Sequence, residues 1–429
     1  MKSFGFSLAG LRRGVASHLI LAWIATSGAG NSGEMGPEEY AARAIQLARE
    51  GKQTEAIADF DKAIRLAPEK PIHYRNRGAF YTLTKQWDKA IDDYSMALKL
   101  ESHDLGTRFN RGYAYLQNGQ LDEALADFSA VLKAQPAHER ALRYRSYIYA
   151  KKKEYAEAAD DLTQLIQKNP NDGPSYKARG DANLVLQEWN DAIADYDKAI
   201  QLIPNDLDAL SGRALAYLHT GEKDKALADL DAALAAKPTH FDALKMRARA
   251  HSEREENEAA IADYTTAIEL KSDDASLYCG RGFAELKKGD KTAALKDFSK
   301  GIELKPDETA YYNARLYIYL SQGDFPKAID DFTRMLAVNP DNTDLRLKRA
   351  SLYLKVNKTN EALADYERVL ANEAQNVMAL AGRGEALAKQ GNRRAGAEAL
   401  QEALQIASDP KEKEQIEAKL REIGVGPLQ

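Results

Sequence analysis

Alanine recurs every 34 residues along most of this 429-residue chain. It stands at Ala56, Ala90, Ala124, Ala158, Ala192, Ala226, Ala260, Ala294, Ala328 and Ala362, and Gly396 takes the next place. A fixed period of that length marks a stacked array in which each unit is one supersecondary element. Counting position 1 from Pro37 phases eleven contiguous units, with no insertion or deletion, to Pro410. A unit this small cannot bury its own apolar face, so neighbouring units must stack to make a continuous core.

Within a unit the pattern is that of two helices. Position 8 is small in ten units (Ala44, Gly78, Gly112, Ser146, Gly180, Ala214, Ala248, Gly282, Ala350, Gly384), and Leu316 is the departure. Position 24 is aromatic or Leu throughout, from Phe60 and Tyr94 to Tyr366 and Leu400. Positions 20, 24 and 27 share one helical face. Small residues let two backbones approach, and the large residue fills the space beside them. Gly at position 15 (Gly51, Gly119, Gly221, Gly289, Gly323, Gly391) ends the first helix with a left-handed residue. Pro at position 32, as in Pro68 and Pro136, stops the second.

This set of residues resembles the tetratricopeptide repeat (TPR), and the resemblance covers residues 37–410. It implies an all-α, right-handed α-solenoid, a superhelix of antiparallel helix hairpins whose concave groove takes a peptide or partner helix. The remaining residues, 411–429, read as a capping helix and tail, with Ile416, Leu420 and Ile423 as the apolar stripe.

Residues 1–36 are different. Lys2, Arg12 and Arg13 come before any acid, an apolar run spans 15–25, and small residues follow from Thr26 to Gly33. Basic, apolar, small is the order of a secretory signal peptide, with cleavage expected near Ala29 or Gly30. The run is too short to span a bilayer. Export to the periplasm or beyond is therefore expected, with a cytoplasmic location as the alternative. The net charge of -5 lacks the basic excess a nucleic-acid binder needs. A single cysteine, Cys279, excludes an internal disulfide and any paired-cysteine metal or redox site.

One position departs from the family pattern, and a second carries the opposite charge. Position 7 is Arg in all eleven units, where the family usually has an apolar residue, and position 23 is Asp in ten, with Ala399 as the exception. Charges beside a packed face need partners. If each Asp meets the Arg of the following unit, the last unit needs none, which fits Ala399. The expected ladder is therefore Asp59–Arg77, Asp93–Arg111, Asp127–Arg145 and so on through Asp195–Arg213 to Asp365–Arg383.

In the family's geometry, positions 2, 5, 9, 12 and 13 of the first helix line the groove. Two clusters stand out there. Repeats 3 to 5 offer Phe109, Tyr113, Arg140, Arg143, Tyr147, Lys151 and Lys177, and repeats 8 and 9 offer Phe283, Asn313 and Tyr317. Rings mixed with cations suit an extended acidic peptide, and rings alone could stack on sugars. Asn76 and Asn110 match the middle residue of the family's carboxylate clamp, but Ala79 and Tyr144 break its flanking pattern. No phosphate loop, zinc helix or nucleophile elbow occurs. The expectation is a non-catalytic interaction scaffold of the bacterial cell envelope, without cofactor or metal, taking a protein or peptide partner near repeats 3 to 5. The alternatives are a polysaccharide-handling component of an envelope assembly and a cytosolic TPR adaptor or co-chaperone-like protein.

Overall fold

The computed structural model of the chain describes residues 35–424, and these form twenty-three α-helices with no strand. All but the last two residues of the expected export segment lie outside the described residues. Each repeat is a helix hairpin, as in Pro71–Leu83 with Trp87–Leu100 and Gly173–Leu186 with Trp189–Leu202. The helices divide after Ala236 into two compact units, one holding repeats 1 to 6 and the other repeats 7 to 11 with a final helix, Pro410–Glu422. The fold is an all-α solenoid of stacked hairpins.

The turn between the two helices is the same in every repeat. Position 15 has positive φ at all six glycines, for example 81° at Gly119, and also at Lys85, Lys153, Gln187, Glu255 and Asn357, where φ is 58–66°. A left-handed residue reverses the chain after the first helix, and five repeats accept a side chain in a conformation that L-residues disfavour. Seven of the first helices are capped by the side chain at position 34 of the preceding repeat. Asp104 accepts the backbone N–H groups of Gly106 and Thr107 at 3.0 and 3.2 Å, and Nδ1 of His138 accepts that of Ala141 at 3.1 Å.

Residue size at positions 8 and 20 sets the helix spacing. Phe60, Tyr94, Phe128, Tyr196 and Phe298, all at position 24, are wholly buried. A methyl group on Gly282 would come within 2.8 Å of Phe298, so glycine is what admits that ring. Where both positions are glycine, Gly384 and Gly396, the pair packs most closely, and a methyl on Gly396 would sit 2.7 Å from the Gly384 carbonyl oxygen. Repeat 9, with Leu316 at position 8, packs least closely. Its wider gap is filled by Leu316, Tyr312, Tyr319, Phe332 and Met335. A second size match links successive repeats. Tyr196, Tyr264 and Tyr366 each lie over a glycine at position 6 of the following first helix (Gly212, Gly280 and Gly382), where a methyl would meet the ring at 2.1–2.4 Å. The final helix buries Ile416 and Leu420 against Leu380, Leu400 and Ala403, covering an apolar face that would otherwise be open.

The charge ladder closes differently from the expectation. The links Asp59–Arg77, Asp93–Arg111, Asp127–Arg145, Asp195–Arg213 and Asp365–Arg383 are not made. Each arginine grips the aspartate sixteen residues ahead, within its own hairpin: Arg43 with Asp59, Arg77 with Asp93, Arg111 with Asp127, Arg145 with Asp161 and Arg179 with Asp195. The series continues with Arg213–Asp229, Arg247–Asp263, Arg281–Asp297, Arg315–Asp331 and Arg349–Asp365. The contact is a two-nitrogen fork, Nε and Nη2 of Arg145 lying 2.8 and 2.7 Å from the two oxygens of Asp161. The reason is the hairpin's own symmetry: positions 7 and 23 are equally far from the turn at position 15, so antiparallel helices bring them face to face. What passes between repeats is the third nitrogen. Nη1 of Arg111, Arg145, Arg179 and Arg315 donates to Ser95, Ser129, Thr163 and Ser299, at position 25 of the preceding repeat. Repeat 11 is left incomplete. Opposite Ala399, Arg383 reaches Glu402 at 3.2 Å through Nη2 while its Nε is buried with no hydrogen-bond partner.

Candidate functional site

The groove-side positions of the first helices divide into side chains already engaged and side chains on offer. In repeats 3 to 5 the rings are mostly engaged. Phe109 is buried, with its ring centroid 5.6 Å from Phe128, 5.9 Å from Tyr144 and 5.0 Å from His138. Tyr113 packs on Tyr144 at 5.4 Å and edge-on to Trp87 at 6.3 Å. Tyr147 is half-buried beside this cluster.

The position-5 cations of repeats 2, 4 and 7 are captured by the aspartate that closes their own repeat. Arg143 Nη2 lies 2.7 Å from Asp172, immediately before the following first helix, and Arg75 and Lys245 pair in the same way with Asp104 and Asp274. Lys177 is also largely covered, 3.4 Å from Asp208 and close to Asp181. Asp181 is buried on the same helix face and accepts a hydrogen bond from the Tyr196 hydroxyl at 2.7 Å. Burial pushes its carboxyl up to about 6, against the opposing pull of Lys177 and the Tyr196 hydroxyl. Of this first cluster, Arg140 and Lys151 reach solvent, over the rings of Phe109 and Tyr147 at 5.9 and 5.5 Å. Arg140 borders a shallow cavity of about 570 Å³ between residues 135–140 and Lys168.

Repeats 8 and 9 present the opposite picture. Tyr317 is 64% exposed and Phe283 47% exposed, the latter resting edge-on against buried Phe298 at 5.1 Å. Asn313 is exposed beside them. Leu320, at position 12 of the same helix as Tyr317, is 41% exposed and was not singled out from sequence, although its groove-side position carried the signal. Position 13 supplies lysines on the repeats to either side, Lys287 and Lys355, both exposed. Cys279 is half-buried, and burial pushes its thiol up to about 11, which makes it a poor nucleophile at neutral pH. Among the described residues no group of three His, Cys, Asp or Glu side chains converges to hold a metal ion, and no helix is long and apolar enough to cross a membrane.

These features define a helical-hairpin repeat protein whose working part is a surface carried on rigid helices. Tetratricopeptide repeat models match residues 41–104, 109–173, 177–241, 275–308 and 316–381, and a TPR repeat model matches 248–289. The chain belongs to the tetratricopeptide repeat family, whose repeats serve as protein–protein interaction scaffolds and are generally non-enzymatic. No curated protein sequence matches it. Among solved structures it is similar to a tetratricopeptide repeat protein from Parabacteroides merdae, with 20% identity over 58% of this chain and 98% of that one and a TM-score of 0.45. It is also similar to yeast Tom70, with 16% identity over 90% and 95% of the two chains and a TM-score of 0.37. MamA from Desulfovibrio magneticus matches at 24% identity over 40% of this chain and 96% of its own, with a TM-score of 0.38.

Proposed function

We propose that this chain is a non-catalytic scaffold of a bacterial cell envelope, exported by its N-terminal segment, that holds segments of partner proteins on the groove-side faces of its first helices. The observation that carries the reading is the exposure of Tyr317, Phe283 and Leu320 on helices whose opposite faces are packed. Large apolar side chains grouped on one surface mark interaction sites, and tyrosine is among the residues that dominate binding energy when covered. The basic, apolar, small order of residues 1–36 supports export. A polysaccharide ligand would need open ring faces in repeats 3 to 5, and there the rings of Phe109 and Tyr144 are buried against one another.

Export is tested by N-terminal sequencing of the chain purified from its native cell fractions. A new N-terminus near residue 30 in the envelope fraction is expected. An intact Met1 in the cytosol would overturn export and leave the cytosolic adaptor. Scaffolding is tested by photo-crosslinking in the native cell from a reactive residue placed at 317. A discrete protein adduct is expected, lost when the crosslinker sits on the outer face at 334, where the native arginine is 58% exposed.

A further inference from the structure

The repeat 8–10 surface has a charge as well as an apolar part. Tyr317 and Leu320 stand on repeat 9, and Phe283 occupies the equivalent of the Tyr317 position on repeat 8. Along position 13 run Lys287, Ser321, Lys355 and Lys389. Lys287 approaches the Ser252 carbonyl oxygen at 3.5 Å, and Lys355 lies over the Phe325 ring at 5.2 Å. No carboxylate among the described residues is paired with either. Lys389 shares the one carboxylate of Glu385 with Lys419, at 3.2 and 2.6 Å, so that trio keeps a net positive charge. The position-5 cations of repeats 2, 4 and 7 are neutralised by aspartates; this row is not. Repeat 9 is also the repeat in which Leu316 holds the two helices apart, and Tyr317 is its next residue. The tyrosines at the same position in repeats 3 and 4, Tyr113 and Tyr147, are half-buried.

We infer that this surface binds an acidic partner segment: a short stretch of a second protein that sets a large apolar side chain against Phe283, Tyr317 and Leu320 and places Asp or Glu against Lys287 and Lys355. The inference rests on the scaffold reading and adds the chemistry of the occupant. The apolar part supplies affinity by removing ring surface from water. The lysine row selects the sign of the flanking charge and orients the segment across the first helices. A basic segment would face like charge, and a purely apolar one would cover ammonium groups without compensation.

The experiment selects short random peptides displayed on phage against the full chain, then measures binding of synthetic copies of the enriched sequences. Enriched peptides are expected to combine an aromatic or large aliphatic residue with Asp or Glu. Tyr317→Ala should weaken them about tenfold. The Lys287→Glu/Lys355→Glu double variant should turn the selection toward Lys- and Arg-bearing peptides. Both changes fall on exposed side chains, so circular dichroism and melting temperature should be unchanged. If the charge reversal perturbs folding, Lys287→Gln/Lys355→Gln, with loss of the preference for acid, serves in its place. Enrichment of basic or uncharged peptides overturns the inference. So does binding that is indifferent to Tyr317→Ala but abolished by Arg140→Glu/Lys151→Glu, and that outcome leaves the scaffold reading intact with its site in repeats 3 to 5. Failure to enrich any peptide tells against both.

Discussion

Three nitrogens of Arg179 bind two repeats: Nε and Nη2 face Asp195 at 2.9 and 2.6 Å, and Nη1 faces the Thr163 hydroxyl at 2.9 Å. Asp195 is buried and also takes a hydrogen bond from Asn183 at 3.1 Å, so removing its carboxylate strands both donors. Asp195→Ala should lower stability by about 3 kcal/mol. In denaturant melts, a double-mutant cycle should place the coupling between Asp195 and Arg179, with none between Asp195 and Arg213. Arg383 offers the converse test. Supplying the missing partner with Ala399→Asp should raise stability by roughly 1–2 kcal/mol, since a buried guanidinium nitrogen now lacks an acceptor. At Asp181 the sign runs with pH. The folded state holds this proton up to about pH 6, above the ordinary carboxyl range, so native binds more protons than unfolded and stability falls as pH rises through that window. Asp181→Asn keeps an acceptor for Tyr196, should flatten that fall, and should stabilise the chain at pH 7 by about 1–3 kcal/mol. The residue types at positions 7 and 23 were legible because the period displays them in register. Their pairing was misassigned because Ala399 was read as an end that needed no charge, whereas distance from the turn at position 15 decides who faces whom.

The helix hairpin is set by its turn and its spacing. Glycine at position 15 was legible in six repeats; the same left-handed backbone in the other five was not, since Lys85, Lys153, Gln187, Glu255 and Asn357 carry no turn signal as strong. The stacking of neighbours imposes that conformation on them. Gln187→Gly should therefore stabilise its unit by about 0.5–1 kcal/mol, and Gly119→Ala should cost a similar amount, both read as shifts in denaturation midpoint. The departure at Leu316 was visible, but its effect was not. A large residue at position 8 widens the pair, and the gap is filled from both helices by Tyr312, Phe332 and Met335. The matching of Tyr196, Tyr264 and Tyr366 with a glycine in the next repeat was equally present in the sequence. It links positions in successive repeats, so a comparison made within one unit at a time passes over it.

At the scale of the whole chain, the 34-residue period was enough for the architecture, because a hairpin that cannot bury its own face has no other stable arrangement than a stack. The proposed binding surface was legible only in part. Sequence register singled out Phe283, Asn313 and Tyr317, which the structure leaves exposed, together with a repeat 3–5 cluster that it mostly covers, because exposure depends on neighbours. In repeats 3 to 5 the aspartate at the end of repeat 4 captures Arg143, and the next first helix packs Tyr144 over Phe109 and Tyr113, so the richer cluster is the less available one.

The closure of each Arg–Asp fork inside its own hairpin bears on how such an array changes length. Excising residues 139–172 removes both members of one pair, Arg145 and Asp161, and strands neither. It sets Ser129 where Thr163 met Arg179, exchanging one hydroxyl for another. That shortened chain should fold with unchanged helix content per residue by circular dichroism, whereas a cut of half that length should not. Duplication or loss of a whole internal module thereby leaves the Arg–Asp forks of its neighbours closed, so the array can lengthen or shorten without breaking the buried charge pairs at its core.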